Sequence, residues 1–253
     1  MNSPLGVRID GGIATLTFDR PARRNALSRQ LLECLRSALT RLAPERLGAV
    51  VLAGAGDCFS AGADVSELRG TAEDAAFDDA LAEIIGIVRE APFLVIAAIE
   101  GPCIGAALDL ACACDLRVVS ATAFFELPSV RLGLLYNPAA VLRLHRRLPA
   151  TTVRRLLLLG DRIHASEALA AGIASRLCAA GGAIALANEL AGRADCGSRA
   201  LAESKRLLNA LEQGDADPAA WEQIRSELMS SPERRAALAA AKARLRVREA
   251  SGG

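Results

Sequence analysis

Residues 49–65 have the sequence Ala-Val-Val-Leu-Ala-Gly-Ala-Gly-Asp-Cys-Phe-Ser-Ala-Gly-Ala-Asp-Val, an apolar run that passes into a loop of small residues. The run at residues 49–53 is short, unbroken and closed by Gly54, which is the pattern of a strand buried on both faces of a parallel sheet. Residues 93–99 form a second such run, closed by Gly101-Pro102 and followed by an apolar helix predicted at residues 104–113. Strands, loops and helices in this order predict an α/β fold with a parallel sheet.

The flanking sequence extends this α/β pattern. Alternating apolar residues around Asp10-Gly11-Gly12 predict a β-hairpin over residues 7–18. Ser28 is a predicted helix N-cap, and Pro44 ends that helix. A helix is predicted at residues 73–90 and a third strand at residues 116–119. After about residue 138 the strands are predicted to stop, leaving helices at residues 139–147, 151–159, 166–171, 182–193, 198–211, 218–229 and 232–248.

A composition shift near residues 194–198 is the best candidate boundary in the chain. It predicts a core at residues 1–195 and a C-terminal helical region at residues 196–253. The length of 253 residues fits one large domain, or one with a small appendage.

Composition and charge exclude several classes of protein. With 52% hydrophobic residues the chain can bury a substantial core, and with 3% aromatic residues that core consists mainly of aliphatic side chains. The 30 basic and 29 acidic side chains leave a net charge of +1, so no global field favours nucleic acid or an anionic membrane. Neither a signal peptide nor a membrane-spanning run is visible, which predicts a cytoplasmic protein.

The familiar catalytic and metal-binding motifs are absent. The seven cysteines are odd in number and scattered, which predicts buried free thiols rather than disulfides or a zinc site. Gly54-Ala55-Gly56 lacks the remainder of a dinucleotide fingerprint or a P-loop. Ser60 lacks the first glycine of a nucleophile elbow, and His145 and His164 have no metal-ligand spacing. A Ser-His-Asp hydrolase and a metal centre are therefore disfavoured.

Two loops, at residues 54–65 and 101–110, place small residues after buried strands. Their backbone N–H groups, one from each loop, could converge on one carbonyl oxygen and stabilise an enolate or oxyanion. The helix that follows Gly105 would add the positive end of its dipole. The alternative is that the small residues only permit tight strand–helix packing, and residue chemistry alone leaves both interpretations open.

At these loops the sequence resembles the crotonase family, also called the enoyl-CoA hydratase/isomerase family. The resemblance covers nearly the whole chain in order. It is carried by the motifs at residues 20–27 (Arg-Pro-Ala-Arg-Arg-Asn-Ala-Leu), 50–64, 96–117, 124–133 and 158–163. Together these motifs, at the right spacing, are far more specific than any one of them.

The resemblance implies a ββα spiral with a helical C-terminal trimerisation region, in a homotrimer or a dimer of trimers. It implies an acyl-CoA thioester as ligand, with coenzyme A as part of the substrate and no separate cofactor. Ala63 and Ala106 would supply the N–H groups of the oxyanion hole, and Arg24 would face the phosphates. The remaining coenzyme A contacts would come from one loop segment, namely Ala61, Ala63, Asp64, Val65 and Ser66.

The departures from the family pattern bear on the chemistry. Hydration in the family uses two glutamates, whose positions are occupied here by Asp109 and Ser129. Because a missing general acid or base lowers the rate by about 10²–10⁴-fold, two-glutamate hydration is doubtful. Glu126 would replace the lost group only if its loop were rearranged, and an exposed or ion-paired side chain is the simpler interpretation. These features resemble the branch of the family that lost one or both glutamates.

A further departure is the segment around Tyr136 and Asn137, which replaces a glycine-rich turn. It is consistent with either a reshaped acyl pocket or a merely altered turn.

The first functional hypothesis is an enoyl-CoA hydratase/isomerase-type enzyme. It would hold a thioester enolate at Ala63 and Ala106, with Asp109 as the single acid/base. One carboxylate suffices for double-bond isomerisation, or for slow hydration. The alternatives are a non-catalytic acyl-CoA-binding protein, or another enolate chemistry such as decarboxylation or thioester hydrolysis.

Overall fold

The largest sheet is built on the two buried runs that the sequence analysis singled out. The computed structural model describes residues 3–194 and 197–251, with side chains as far as residue 244. The strands in chain order are β1 (Leu5–Asp10), β2 (Ile13–Phe18), β3 (Ala49–Gly54), β4 (Leu94–Ile99), β5 (Pro102–Ile104), β6 (Leu116–Ser120), β7 (Phe124–Glu126), β8 (Ile163–His164) and β9 (Arg176–Cys178).

Helices alternate with these strands in the first part of the chain and dominate its end. They are α1 (Arg29–Leu42), α2 (Ala75–Glu90), α3 (Ala106–Ala113), α4 (Pro138–Arg147), α5 (Ala150–Arg154), α6 (Ala165–Ala168), α7 (Ala183–Ala191), α8 (Arg199–Gln213), α9 (Pro218–Met229) and α10 (Pro232–Ser251). The predicted α/β architecture with a helical C-terminal part is confirmed.

The main sheet has the strand order β1-β2-β3-β4-β6-β9, and a second sheet has the order β5-β7-β8. In the main sheet β1 and β2 form the predicted antiparallel hairpin. The other pairings in that sheet are parallel, with Val51 opposite Ile96 at its centre. Every residue of β3 is buried, as the unbroken apolar run predicted.

Both faces of the main sheet are covered. One face packs with α1, α2 and α3 into the larger core, where Leu16, Leu52 and Leu108 are fully buried. The other face packs against α7 in a smaller core that includes Val51 and Ala187. Alanine on α7 lets the helix approach the strands closely, which explains how a chain with few aromatic residues fills this core.

Three predicted elements are wrong in detail. Ile104 belongs to β5 and pairs with Glu126, so α3 begins only at Ala106. The strands do not stop after residue 138, because β8 and β9 each add a short strand to a sheet. The helix predicted at residues 151–159 is divided into α5 and a π-helical turn at Arg155–Leu159.

The chain divides into two compact units, one ending at Leu201 and the other beginning at Ala202. The predicted boundary between residues 195 and 196 lies outside the described residues and stays a prediction. In the part of the chain that the structure describes, no helix has both the length and the apolar character that a bilayer span requires.

None of the cysteines that the structure describes is in a disulfide. Four of them are buried, namely Cys58, Cys103, Cys112 and Cys114. Two are half-buried, namely Cys34 and Cys178. Cys196 lies outside the described residues.

Ser28 caps α1 as predicted, since its Oγ accepts a hydrogen bond from the Leu31 N–H at 3.2 Å. Replacing a serine N-cap with alanine leaves one helix N–H without its acceptor, so Ser28→Ala should lower the free energy of unfolding by about 0.5–2 kcal/mol. Urea unfolding measures this loss. Ser28→Gly is the matched variant and should lose only a few tenths of a kcal/mol. An equal loss in both variants would contradict the assigned cap.

Candidate active site

The two small-residue loops meet in the structure. The Phe59 N–H donates to the Glu100 carbonyl oxygen at 2.6 Å, and the Ser60 N–H donates to that of Pro102 at 3.1 Å. The Ile104 N–H donates back to the Ser60 carbonyl oxygen at 3.1 Å, completing a short parallel bridge. Loops that follow neighbouring strands of the sheet are therefore joined backbone to backbone.

Gly62 is a point of close approach between the loops. Its φ of +89° lies in the region that favours glycine. A Cβ atom placed on Gly62 would lie 2.5 Å from the Ile104 carbonyl oxygen and 3.5 Å from the Ala106 nitrogen. The peptide that links Gly62 to Ala63 therefore lies beside the first residue of α3.

The hydrogen bonds that hold these loops use other backbone amides. The Asp64 N–H donates to the Leu27 carbonyl oxygen at 3.0 Å, and the Gly105 N–H donates to that of Glu126 at 2.9 Å. Within residues 3–194 and 197–251, the amides of Ala63 and Ala106 take no part in the backbone hydrogen bonds that join the loops. Both amides thus remain able to donate to a ligand, and that of Ala106 adds the N-terminal end of the α3 dipole.

Asn25 supports the first loop from behind, a role that the sequence analysis missed. Its side chain is fully buried, and its Nδ2 donates to the carbonyl oxygens of Cys58 at 2.6 Å and Ala55 at 2.9 Å. Its Oδ1 accepts from the Arg20 N–H at 3.0 Å. The available signal was an asparagine between two turn-forming segments, since asparagine tolerates the positive φ of 53° found here.

Arg24 lies next to the loop from Ala61 to Ser66, the residues predicted to contact coenzyme A. The exposed Arg24 accepts a hydrogen bond on its carbonyl oxygen from the Ala61 N–H at 3.0 Å. Val65 is 71% exposed, and Ser66 is also exposed. The structure thus brings Arg24 to the same edge as the loop that begins at Ala61.

Asp64 differs from its neighbours because its side chain is turned into the protein. One carboxylate oxygen accepts from the Ser66 N–H at 3.2 Å and the Ser66 hydroxyl at 2.6 Å. The other accepts from Arg20 Nη2 at 2.8 Å. Asp64 therefore caps the short helical turn Val65–Glu67 that shapes the loop.

The pKa of Asp64 lies below its ordinary value, because the Ser66 hydroxyl and the Arg20 guanidinium stabilise the carboxylate more than burial disfavours it. The group therefore stabilises the fold above its unfolded-state pKa of about 3.9, and that stabilisation disappears as pH falls through the lower folded-state pKa. Asp64→Asn should make the free energy of unfolding depend less steeply on pH in this acid range. Urea unfolding at a series of pH values measures the slope. An unchanged slope would contradict the contacts assigned to Asp64.

Asp109 is buried in the first turn of α3 and is ion-paired. Arg143 on α4 donates from Nε to Oδ1 at 3.2 Å and from Nη2 to Oδ2 at 2.6 Å. Burial raises the pKa of Asp109 above its ordinary value, with a further rise from Asp78, although Arg143 opposes both. Asp109 is predicted from the sequence, but no sequence pattern marks Arg143 as its partner.

Ser129, where the family resemblance implies a second glutamate, and Glu126 lie on either side of a short loop after β7. Ser129 is buried at the start of the helical turn Ser129–Leu132. The Glu126 carboxylate is held by Arg131 at 2.7 Å and by Arg162 at 3.1 Å. The ion-paired interpretation of Glu126 is confirmed.

Tyr136 and Asn137 precede α4 close to Asp109. The Asn137 Oδ1 caps α4 by accepting from the N–H groups of Ala139 at 2.9 Å and Ala140 at 3.3 Å. Burial raises the pKa of Tyr136, and the nearby Asp109 raises it further. The Tyr136 hydroxyl is therefore one of the polar groups near Asp109.

Comparison with known proteins identifies a family whose members are similar in sequence. Residues 8–238 match the family model "Enoyl-CoA hydratase/isomerase". The protein named "Probable enoyl-CoA hydratase echA6" of Mycobacterium leprae is 38% identical over 209 residues, covering 81% of this chain and 82% of that protein. The enoyl-CoA isomerase/hydratase fer4 of Mycosarcoma maydis is 31% identical over 192 residues, covering 71% of this chain and 70% of that protein.

Solved structures agree with the observed fold. An enoyl-CoA hydratase/carnithine racemase from Magnetospirillum magneticum matches with a TM-score of 0.88 and 28% identity over 96% of this chain and 94% of that one. A methylmalonyl-CoA decarboxylase in complex with 2-nitronate-propionyl-CoA matches with a TM-score of 0.78 and 25% identity over 88% and 87% of the two chains. The predicted crotonase-like fold is thereby confirmed, and the chain belongs to the enoyl-CoA hydratase/isomerase family.

Proposed function

We propose that this protein binds an acyl-CoA thioester and stabilises its enolate at the backbone N–H groups of Ala63 and Ala106. The observation that supports the proposal is the close approach of Gly62, the residue before Ala63, to the Ala106 nitrogen at the start of α3. Donors fixed by the fold need no reorganisation when negative charge develops on the thioester oxygen. The dipole of α3 favours the same charge.

The coenzyme A portion of the ligand would lie along the loop from Ala61 to Ser66, with Arg24 facing its phosphates. The exposure of Arg24 and Val65 at one edge supports this placement. Membership of the enoyl-CoA hydratase/isomerase family supports an acyl-CoA ligand, and one structural neighbour was solved in complex with 2-nitronate-propionyl-CoA. Coenzyme A belongs to the substrate in this proposal, and no separate cofactor takes part.

Asp109 is the proposed single acid/base. As a base, its carboxylate takes a proton from the acyl chain, and the electron pair of that C–H bond moves into the thioester as an enolate. Returning the same proton to another carbon moves the double bond, so one carboxylate completes an isomerisation. Slow hydration, with Asp109 acting on water, is the related possibility that Ser129 makes inefficient.

A non-catalytic acyl-CoA-binding protein is the second candidate. It is favoured by the ion pair that engages both oxygens of Asp109, and by the absence of a carboxylate at Ser129. Decarboxylation or thioester hydrolysis at the same pair of amides is the third. A homotrimer or a dimer of trimers, joined through the C-terminal helices, and a cytoplasmic location complete the proposal.

Calorimetric titration beside product analysis separates these functions. Acyl-CoA thioesters of several chain lengths, which are saturated, carry a double bond or carry a carboxyl group next to the thioester, are titrated into the protein and then incubated with it for mass spectrometry. A shifted double bond or added water supports the enzyme. Tight binding without any product supports the binding protein, and loss of carbon dioxide or free coenzyme A supports the third candidate. No binding of any thioester would contradict all three.

A further inference from the structure

The ion pair between Asp109 and Arg143 joins two helices at the centre of the site. Both guanidinium–carboxylate contacts come from one arginine, so the carboxylate plane of Asp109 is fixed relative to α4. The Asp109 side chain is 3% exposed and that of Arg143 is 18% exposed. This is a mostly desolvated pair, unlike the exposed ion pairs at the surface of the protein.

The groups that face Asp109 come from each helix around it. Asp78 acts on it from α2, Tyr136 lies near it in the segment before α4, and Cys112 follows on α3 itself. Asp78 is hydrogen-bonded by the side chain of Asn137. The groups near Asp109 are thus the carboxyl group of Asp78, the Tyr136 hydroxyl and the Cys112 thiol, none of which is positively charged. The positive charge that contacts Asp109 is that of Arg143.

We propose that Arg143 is the positioning residue of Asp109: its guanidinium fixes the carboxylate in one orientation and keeps it in the charged form that accepts a proton. The inference rests on the proposed role of Asp109 as the acid/base and adds what makes that role available at neutral pH. A buried carboxyl group without a cation favours its neutral form, which donates a proton and cannot accept one. Arg143 thus favours the form of Asp109 that can begin the reaction as a base.

Three variants test this inference by perturbing the pair in different ways. Arg143→Met removes the charge and keeps an apolar stem of similar length. Arg143→Lys keeps the charge but loses the two-point contact, and it also guards against a variant that does not fold. Asp78→Asn is the matched control. It removes a negative charge near Asp109 and should therefore shift the pKa of Asp109 in the opposite direction to Arg143→Met.

Carbon-13 NMR of protein labelled at the aspartate carboxyl carbons reports the ionisation of Asp109 directly. The resonance that disappears in Asp109→Asn identifies it, and a pH titration then gives its pKa in each variant. We expect the pKa to rise by about 1–3 units in Arg143→Met, the usual effect of losing a neighbouring arginine. It should stay within about one unit of the original in Arg143→Lys and fall in Asp78→Asn.

An unchanged pKa in Arg143→Met, in protein that retains its circular dichroism spectrum, would overturn the inference. So would shifts of the same sign in Arg143→Met and Asp78→Asn, because a merely structural role predicts no opposition between them. The titration needs no turnover, so failure of the proposed function and failure of this inference are distinguishable. Where turnover is found, the acidic limb of its pH–rate profile should move with the NMR pKa of Asp109, and Arg143→Lys should lower kcat more than it changes KM.

Discussion

Asp109→Asn should lower acyl-CoA turnover by about 10²–10⁴-fold, the usual effect of removing a general acid or base. Acyl-CoA binding should change little, because the proposed oxyanion hole is made of backbone amides. Asparagine keeps the shape of the side chain and cannot take up a proton at neutral pH. Steady-state kinetics and calorimetric titration of the same preparation measure the two effects separately.

The control for this variant follows from its ion pair. Asp109→Asn leaves the mostly buried Arg143 without its carboxylate, which by itself destabilises the fold. The double variant Asp109→Asn/Arg143→Met removes both charges and should regain part of that stability, while turnover stays lost. Unchanged turnover in Asp109→Asn would exclude Asp109 as the acid/base. Regained turnover in the double variant would show that only folding had been affected.

Gly62→Ala should have the second large effect, on the oxyanion hole itself. Its new Cβ would lie 2.5 Å from the Ile104 carbonyl oxygen, so the loops must separate or rotate. Ala63 and Ala106 would then no longer donate to one oxygen. Losing one donor of an oxyanion hole lowers kcat by about 10²–10³-fold, and kinetics with an accepted acyl-CoA measure the loss.

Gly56→Ala is the matched control in the same loop. Gly56 also has a positive φ, of 76°, but a Cβ atom there meets nothing within 4 Å. The two variants share the backbone strain and differ in the collision between loops. Gly56→Ala should therefore keep most of the activity. Equal losses in the two variants, or full activity in Gly62→Ala, would contradict the assignment of the two amides.

Much of the fold could be predicted because its decisive elements have strong local patterns. The strand β3 is an unbroken apolar run closed by a glycine, and Ser28 begins a helix with regular apolar spacing. The strands β8 and β9 were missed because two or three residues show no alternation, and pairing with distant strands defines them. Ile104 is predicted in a helix because the residues from Ile104 to Ala113 are almost all apolar, so the sequence does not show where β5 ends and α3 begins.

The location of the candidate site in the chain could be predicted, but the side-chain contacts within it could not. The family resemblance located Asp109 and the two loops, and the structure brings the loops together. The partner of Asp109, Arg143, lies 34 residues away on another helix, where no local pattern marks the pair. The inward turn of Asp64 was missed for a similar reason, because it depends on Arg20 across 44 residues.

A crystal structure of the protein with a bound acyl-CoA tests the central claim most directly. The thioester oxygen should lie about 2.7–3.1 Å from the backbone nitrogens of both Ala63 and Ala106, as in a functional oxyanion hole. The Asp109 carboxylate should face the acyl carbons next to that carbonyl group. A bound acyl-CoA whose thioester oxygen is hydrogen-bonded to neither amide would contradict the account.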